Sequence, residues 1–273
     1  MSYATLMVHV DVDAELGCRV GIAAGLAQKF NAHLIGVAGW APMSVFLAED
    51  ARNDRAPPDF HCHDMKTLLD RKGEEFQTAV RALNGQAEWR SGLDFPTDVL
   101  AREARAADLI IIGNRQENQD PFRALDPGSF ILKAGRPVLV VPKGIASFSP
   151  KHVAIAWKDV REARRAVLDA MPFLQQAETV MIVEILDSGS NQSSRAIKDV
   201  GNYLTRHGIK TIAERLRPTD VTPANSLLRL IEDENINLIV AGAYGHSRLG
   251  EWAFGGVTRD LLQESPICCV FAH

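Results

Sequence analysis

Cysteine is scarce in this chain: four residues in 273, Cys18, Cys62, Cys268 and Cys269, none at CxxC spacing. A disulfide framework is therefore excluded. No apolar run approaches the roughly 20 residues needed to span a bilayer, which leaves no membrane partner to expect. The opening MSYATLMVHVDVD carries acids where a secretory leader needs a basic stretch, so the expected location is cytoplasmic. Neither sign of charge dominates. Thirty Lys and Arg face 34 Asp and Glu for a formal charge of −4, which gives nucleic acid no electrostatic foothold. No G-x-G-x-x-G follows the first apolar run and no G-x-x-x-x-G-K-[ST] occurs at all, which argues against a dinucleotide dehydrogenase and removes the common P-loop ATPase.

What is present is a globular composition, 46% hydrophobic and 23% charged, in a chain long enough for two cores. The chain repeats itself. ADLIIIGNRQ at 107–116 is answered by INLIVAGAYG at 236–245, and Gly113 and Gly242 lie 129 residues apart. RPVLVVP at 136–142 is answered by SPICCVFA at 265–272, again with 129 residues between Pro137 and Pro266. TLMVHVD at 5–11 likewise resembles HVAIAWK at 152–158. One domain is written twice, with the joint near PKGIASFSP, so domains over 1–146 and 147–273 are expected.

In the first half the pattern predicts strands at 5–11, 33–39, 87–91, 108–113 and 137–142, with helices at 14–30, 62–84 and 96–106. In the second it predicts strands at 152–157, 179–185, 209–215, 236–242 and 267–271, with helices at 160–171, 194–207, 222–234 and 256–264. Short apolar strands without polar alternation require a parallel sheet covered on both faces, and the helices between them supply the crossovers. The fold class is α/β, as two tandem doubly wound domains.

Ligands of such sheets sit beyond the carboxyl ends of the strands. The richest segment there is GAYGHSRLGEWAFGGVTRDLL: Gly242-x-x-Gly245, nine residues, then Gly255-Gly256 at the start of a helix. Glycines at a strand end free the backbone to bend and expose its N–H groups, and a helix N-terminus favours phosphate. Together with LDPGSFILKAGRPVLVVPKG, this segment resembles universal stress proteins of the tandem type. The resemblance covers nearly all of both halves. It implies a five-stranded parallel sheet per domain with helices on both faces, pairing of the last strands of the two domains within the chain, and a role as a stress-response sensor or regulator. Dimers of the whole chain remain compatible with it. The resemblance also implies ATP as cofactor in some members.

Carried over by position, Gly242, Gly245, Gly255, Gly256 and Val257 fall on the phosphate and ribose loop, and Val183 on the strand residue facing the base. In the first half Asp11 falls on the aspartate that meets adenine, Val37 on the base-facing residue, and Gly113, Gly128 and Ser129 on the loop. Both halves depart from the pattern. Gln116 replaces the second glycine of the first loop, and Lys158 stands where the second half needs its aspartate. A lysine cannot accept from an adenine amino group. The second half, which keeps its loop, is the expected ATP site.

Three other readings stay open. Gln116 and Lys158 favour a stress scaffold of the same fold that binds no nucleotide. A slow ATPase would need a base that the residues do not mark. His61-Cys62-His63 offers zinc-type ligands after Pro57-Pro58, which would suit a metal-binding hydrolase, although no second ligand pair is evident. Ser247 lacks the glycine two places on that a nucleophile elbow needs.

Overall fold

A computed structural model describes residues 2–14, 16–42, 60–114, 120, 122–186, 194–209, 212–218, 222–243 and 256–273; of 60–62, 185–186, 194 and 212–218 the backbone alone is described. The chain divides into two compact units. One holds Tyr3–Arg136 with Gly144–Ser147, the other Pro137–Lys143 with Phe148–His273.

The first unit carries strands β1 (Thr5–His9), β2 (His33–Gly39), β3 (Ala87–Gly92) and β4 (Leu109–Gly113) in the parallel order β3-β2-β1-β4. Strands β1, β2 and β4 are apolar and almost wholly buried, whereas β3, with Glu88, Arg90 and Ser91, has the half-exposed side chains of an edge. Helices α1 (Cys18–Phe30), α2 (Phe60–Ala79), α3 (Pro96–Glu103) and α4 (Pro127–Ala134) cover the sheet. Two glycines of β2 show how closely. Gly36 faces the Phe76 ring of α2, and Gly39, on the opposite side of the strand, faces Pro96 of α3. A side chain at either position would collide.

The second unit carries β5 (Val138–Val141), β6 (His152–Trp157), β7 (Thr179–Leu186), β8 (Ile212–Pro218), β9 (Leu238–Gly242) and β10 (Cys268–Ala272) in the order β5-β10-β9-β6-β7-β8. All pairs are parallel except β5 with β10, where Val140 meets Cys269 and Val138 meets Phe271 in antiparallel register. PVLVV thus gives its strand to the unit that holds the second half of the sequence. Helices α5 (Arg161–Asp169), α6 (Met171–Leu174), α7 (Ser194–Arg206), α8 (Pro223–Asp233) and α9 (Gly256–Glu264) complete it.

The repeat is visible in the register. Leu6 pairs with Leu109 as Val153 pairs with Leu238, and His9 pairs with Val37 as Ala156 pairs with Val183. A side-chain device is repeated as well. The Asp108 carboxylate accepts from the N–H groups of Ala4 and Thr5, and the Asn237 side-chain oxygen accepts from those of Lys151 and His152. In both halves a polar side chain ahead of the fourth strand ties down the entry to the first, satisfying N–H groups that the ladder leaves over.

The structure differs from the pattern reading chiefly in α4, which the apolar periodicity did not suggest. Its eight residues are too few for a clear helical period, but its start is well marked. Asp126 accepts from the Ser129 N–H at 3.3 Å and Pro127 takes the first helical position. Elsewhere the limits shift: α1 begins at Cys18 rather than 14, α3 ends in a 3-10 turn over Ala104–Ala106, and β8 runs 212–218 rather than 209–215.

Cys268 and Cys269 lie inside β10, both buried, and burial pushes each thiol up to about 12. Cys18 is exposed at the start of α1. Because the thiolate is the reacting form and reagent must reach it, alkylation at mildly alkaline pH is expected to modify the exposed Cys18 at least about tenfold faster than the buried β10 pair. Peptide mass spectrometry after timed iodoacetamide labelling checks this; comparable labelling of Cys269 in the native protein would contradict the buried β10.

Candidate functional site

Connections leave in opposite directions from β1 and β4 in the first unit, and from β6 and β9 in the second. The crevice for a ligand lies beyond the carboxyl ends of each pair.

In the first unit that place is filled by the chain itself. Asp11, just past β1, holds Arg19 of α1 at 2.6 Å, and the same guanidinium donates through Nε to the His9 carbonyl. Arg19 lies across the end of β4: a Cβ on Gly113 would be 2.2 Å from its Nη1. His9 is buried, with Nδ1 3.4 Å from Asp11 and no partner for Nε2. Burial keeps its imidazole neutral, lowering its pKa to about 4 despite the nearby carboxylate. Burial pushes the Asp11 carboxyl up, but His9 and Arg19 outweigh it and hold the group below its ordinary 3.8.

Arg123, ahead of α4, reaches the same end of the sheet. Arg123 reaches Asp13 at 2.7 Å and lies over the Trp40 ring, 4.1 Å from its centroid, while the Ala41 N–H donates to the Phe122 carbonyl. At the start of α4, Gly128 is buried and the Ser129 N–H is already engaged by Asp126. Val37 is buried, and its carbonyl accepts from Val10. The structure therefore brings Asp11 and Gly113 together, with a guanidinium of the same protein between them. Gln116 lies outside the described residues.

The second unit is arranged differently. Gly242 ends β9 hard against α5: a Cβ there would lie 2.5 Å from the Ala163 nitrogen and 2.6 Å from the Glu162 carbonyl carbon. Only glycine fits such an approach of two backbones. Gly256 opens α9 with no atom within 4 Å of where its Cβ would be, and Val257 behind it is half-buried. Gly245 and Gly255 lie outside the described residues. Val183 is buried in β7, in the register position of Val37. Lys158, in the place of Asp11, is exposed and makes no ion pair among the described residues.

Two groups at this end of the sheet stand outside the glycine-loop pattern, and of these only Trp157, beside Lys158, is marked by the sequence as a residue that either lines the second site or packs against its helix. Trp157 and Glu184 are register partners at the ends of β6 and β7, and the indole Nε1 and carboxyl Oε2 are both buried without a hydrogen-bond partner. Burial, reinforced by the negative charge of Asp159, pushes the Glu184 carboxyl above its ordinary 4.5. The signal was a single acid within the apolar run VMIVEIL.

The proposed metal ligands fall at the start of α2, where His63 is exposed and the side chains of His61 and Cys62 lie outside the described residues. Consecutive positions on a helix point in different directions rather than converging. Among the described residues no three His, Cys, Asp or Glu side chains gather as a metal would need, and no helix is long and apolar enough to cross a membrane.

Compared with known proteins, residues 151–272 match the sequence profile of the Universal stress protein family. No curated protein matches the chain. Among solved structures, a universal stress protein from Archaeoglobus fulgidus DSM 4304 superposes with a TM-score of 0.70 at 15% identity, over 98% of this chain and 95% of its own. A functionally unknown protein from Pseudomonas aeruginosa PAO1 gives 0.59 at 14% identity, over 99% of this chain and 92% of its own. These likenesses show the fold: α/β, with a mostly parallel sheet flanked by helices. A universal stress protein in complex with cAMP aligns at only 0.38 and 16% identity, over 46% of this chain and 98% of its own, too loosely to carry an argument.

Proposed function

We propose that the second half, whose residues 151–272 match the Universal stress protein family, holds an adenine nucleotide, ATP, and lets the protein act as a nucleotide-dependent regulator in the stress response. The observation that carries the reading is the contrast between the two crevices. In the first half, Arg19 and Asp11 neutralise one another across Gly113, and Asp126 occupies the N-terminus of α4. A nucleotide there would have to displace an ion pair and approach a carboxylate. In the second half, the position of Asp11 carries an exposed lysine, and Gly256 opens α9. A triphosphate meets positive charge and a helix N-terminus there.

The first half suits the scaffold reading better. Among the described residues, the ion pairs of Arg19 with Asp11 and of Arg123 with Asp13 brace the ends of its strands. Both readings thus find a home in one chain, one in each half.

Small molecules released by denaturing freshly purified full-length protein test the proposal. Mass spectrometry is expected to find an adenine nucleotide from the parent and to find it reduced at least tenfold in Gly245→Val, whose side chain would intrude where the loop meets phosphate. Equal recovery from both proteins would remove the loop from the site.

A further inference from the structure

Lys158 leaves the proposed site without the acceptor that a base with an exocyclic amino group needs. The next strand supplies one. Ala156 pairs with Val183, and the next pair along is Trp157 with Glu184. Register partners on parallel strands share a face, so the indole and the carboxyl stand side by side at the carboxyl end of the sheet. Among the described residues neither Trp157 Nε1 nor Glu184 Oε2 has a hydrogen-bond partner, although both are buried. Orphaned buried polar groups are uncommon, and two adjacent ones of opposite character, a donor and an acceptor, match a ligand edge with the reverse pattern.

The first half lacks this pair at the equivalent place, although His9 Nε2 is also buried there without a partner. One residue beyond the equivalent pair of His9 and Val37 stand Val10 and Ala38, both apolar and buried. The polar pair at this register position therefore belongs to the second half.

We propose that Glu184, assisted by the Trp157 indole N–H, reads the hydrogen-bonding edge of the base in the second half, in place of the aspartate that Lys158 displaces. This rests on the nucleotide reading above. The carboxylate accepts from the amino group of adenine and the indole N–H donates to the neighbouring ring nitrogen. Lys158, freed from the base, is left to face phosphate.

Calorimetric titration of the full chain with ATP, and separately with inorganic tripolyphosphate, distinguishes base from phosphate recognition. Glu184→Leu is expected to weaken ATP about tenfold or more and to leave tripolyphosphate unchanged. Trp157→Phe, which removes the N–H while retaining an aromatic ring, is expected to weaken ATP about threefold, again with tripolyphosphate unchanged. If both variants bind ATP as the parent does, or if they lose tripolyphosphate in the same proportion, the base-reading role is overturned while the nucleotide site stands. A parent chain that binds neither probe overturns both.

Discussion

Gly242→Ala is expected to destabilise the second unit by about 3 kcal/mol, the upper part of the range for forcing an extra carbon into a packed site. The added Cβ would lie 2.5 Å from the Ala163 nitrogen and 2.6 Å from the Glu162 carbonyl carbon, and both are backbone atoms of α5. Neither can rotate away, so the helix or the end of β9 has to shift. Gly113→Ala, at the equivalent place in the first half, is the matched control. Its Cβ would meet Arg19 Nη1 at 2.2 Å, a worse collision on paper, yet that atom is the far end of a flexible side chain. The guanidinium can swing out at the cost of its ion pair with Asp11, about 1 kcal/mol for a partly exposed pair. Urea unfolding of the two variants should rank Gly242→Ala well above Gly113→Ala. Equal losses, or the reverse order, would contradict the close packing of α5 on β9.

His9 gives the second large effect. Its imidazole takes a proton near 6.5 when unfolded but only near 4 when folded, because burial disfavours the charged form. Between those values the unfolded chain binds more protons than the folded one, so stability falls as pH falls. A separation of that size corresponds to about 3 kcal/mol lost on going from pH 7 to pH 4. Asp11 adds a second acid-sensitive step. Its lowered pKa gives stability that is present above 3.8 and is lost as the pH falls through the folded value. His9→Leu should therefore flatten the stability profile between pH 6.5 and 4. Denaturant titrations at intervals of half a pH unit check it. A variant profile that still falls by the parent amount across the window would show that His9 is not buried as the neutral form.

Much of this architecture is legible in the residues. The apolar runs at 5–9, 109–113, 152–157 and 238–242 form buried strands because no polar alternation interrupts them, and the spacing between Gly113 and Gly242 carries the duplication. The helix at 127–134 was not read from periodicity, although Asp126-Pro127 is a clear capping signal; eight residues between two strands make too short a window. The filling of the first crevice was not legible at all. That Arg19 returns to Asp11 and Arg123 to Asp13 and Trp40 depends on how α1 and the connection after β4 pack, which spacing does not encode. Glu184 could have been singled out, since an acid in a buried strand needs a reason. It was passed over because the motif points to the backbone of Val183 beside it.

These observations also decide how the two halves should be compared. β5 pairs with β10 inside the second unit, so cutting the chain near residue 146 would strip the second half of a strand. Titration of the intact chain with ATP is the sounder measurement. One nucleotide is expected to bind per chain, with binding lost in Gly245→Val and kept in Asp11→Asn. Two equivalents per chain, or binding lost in Asp11→Asn and kept in Gly245→Val, would contradict it.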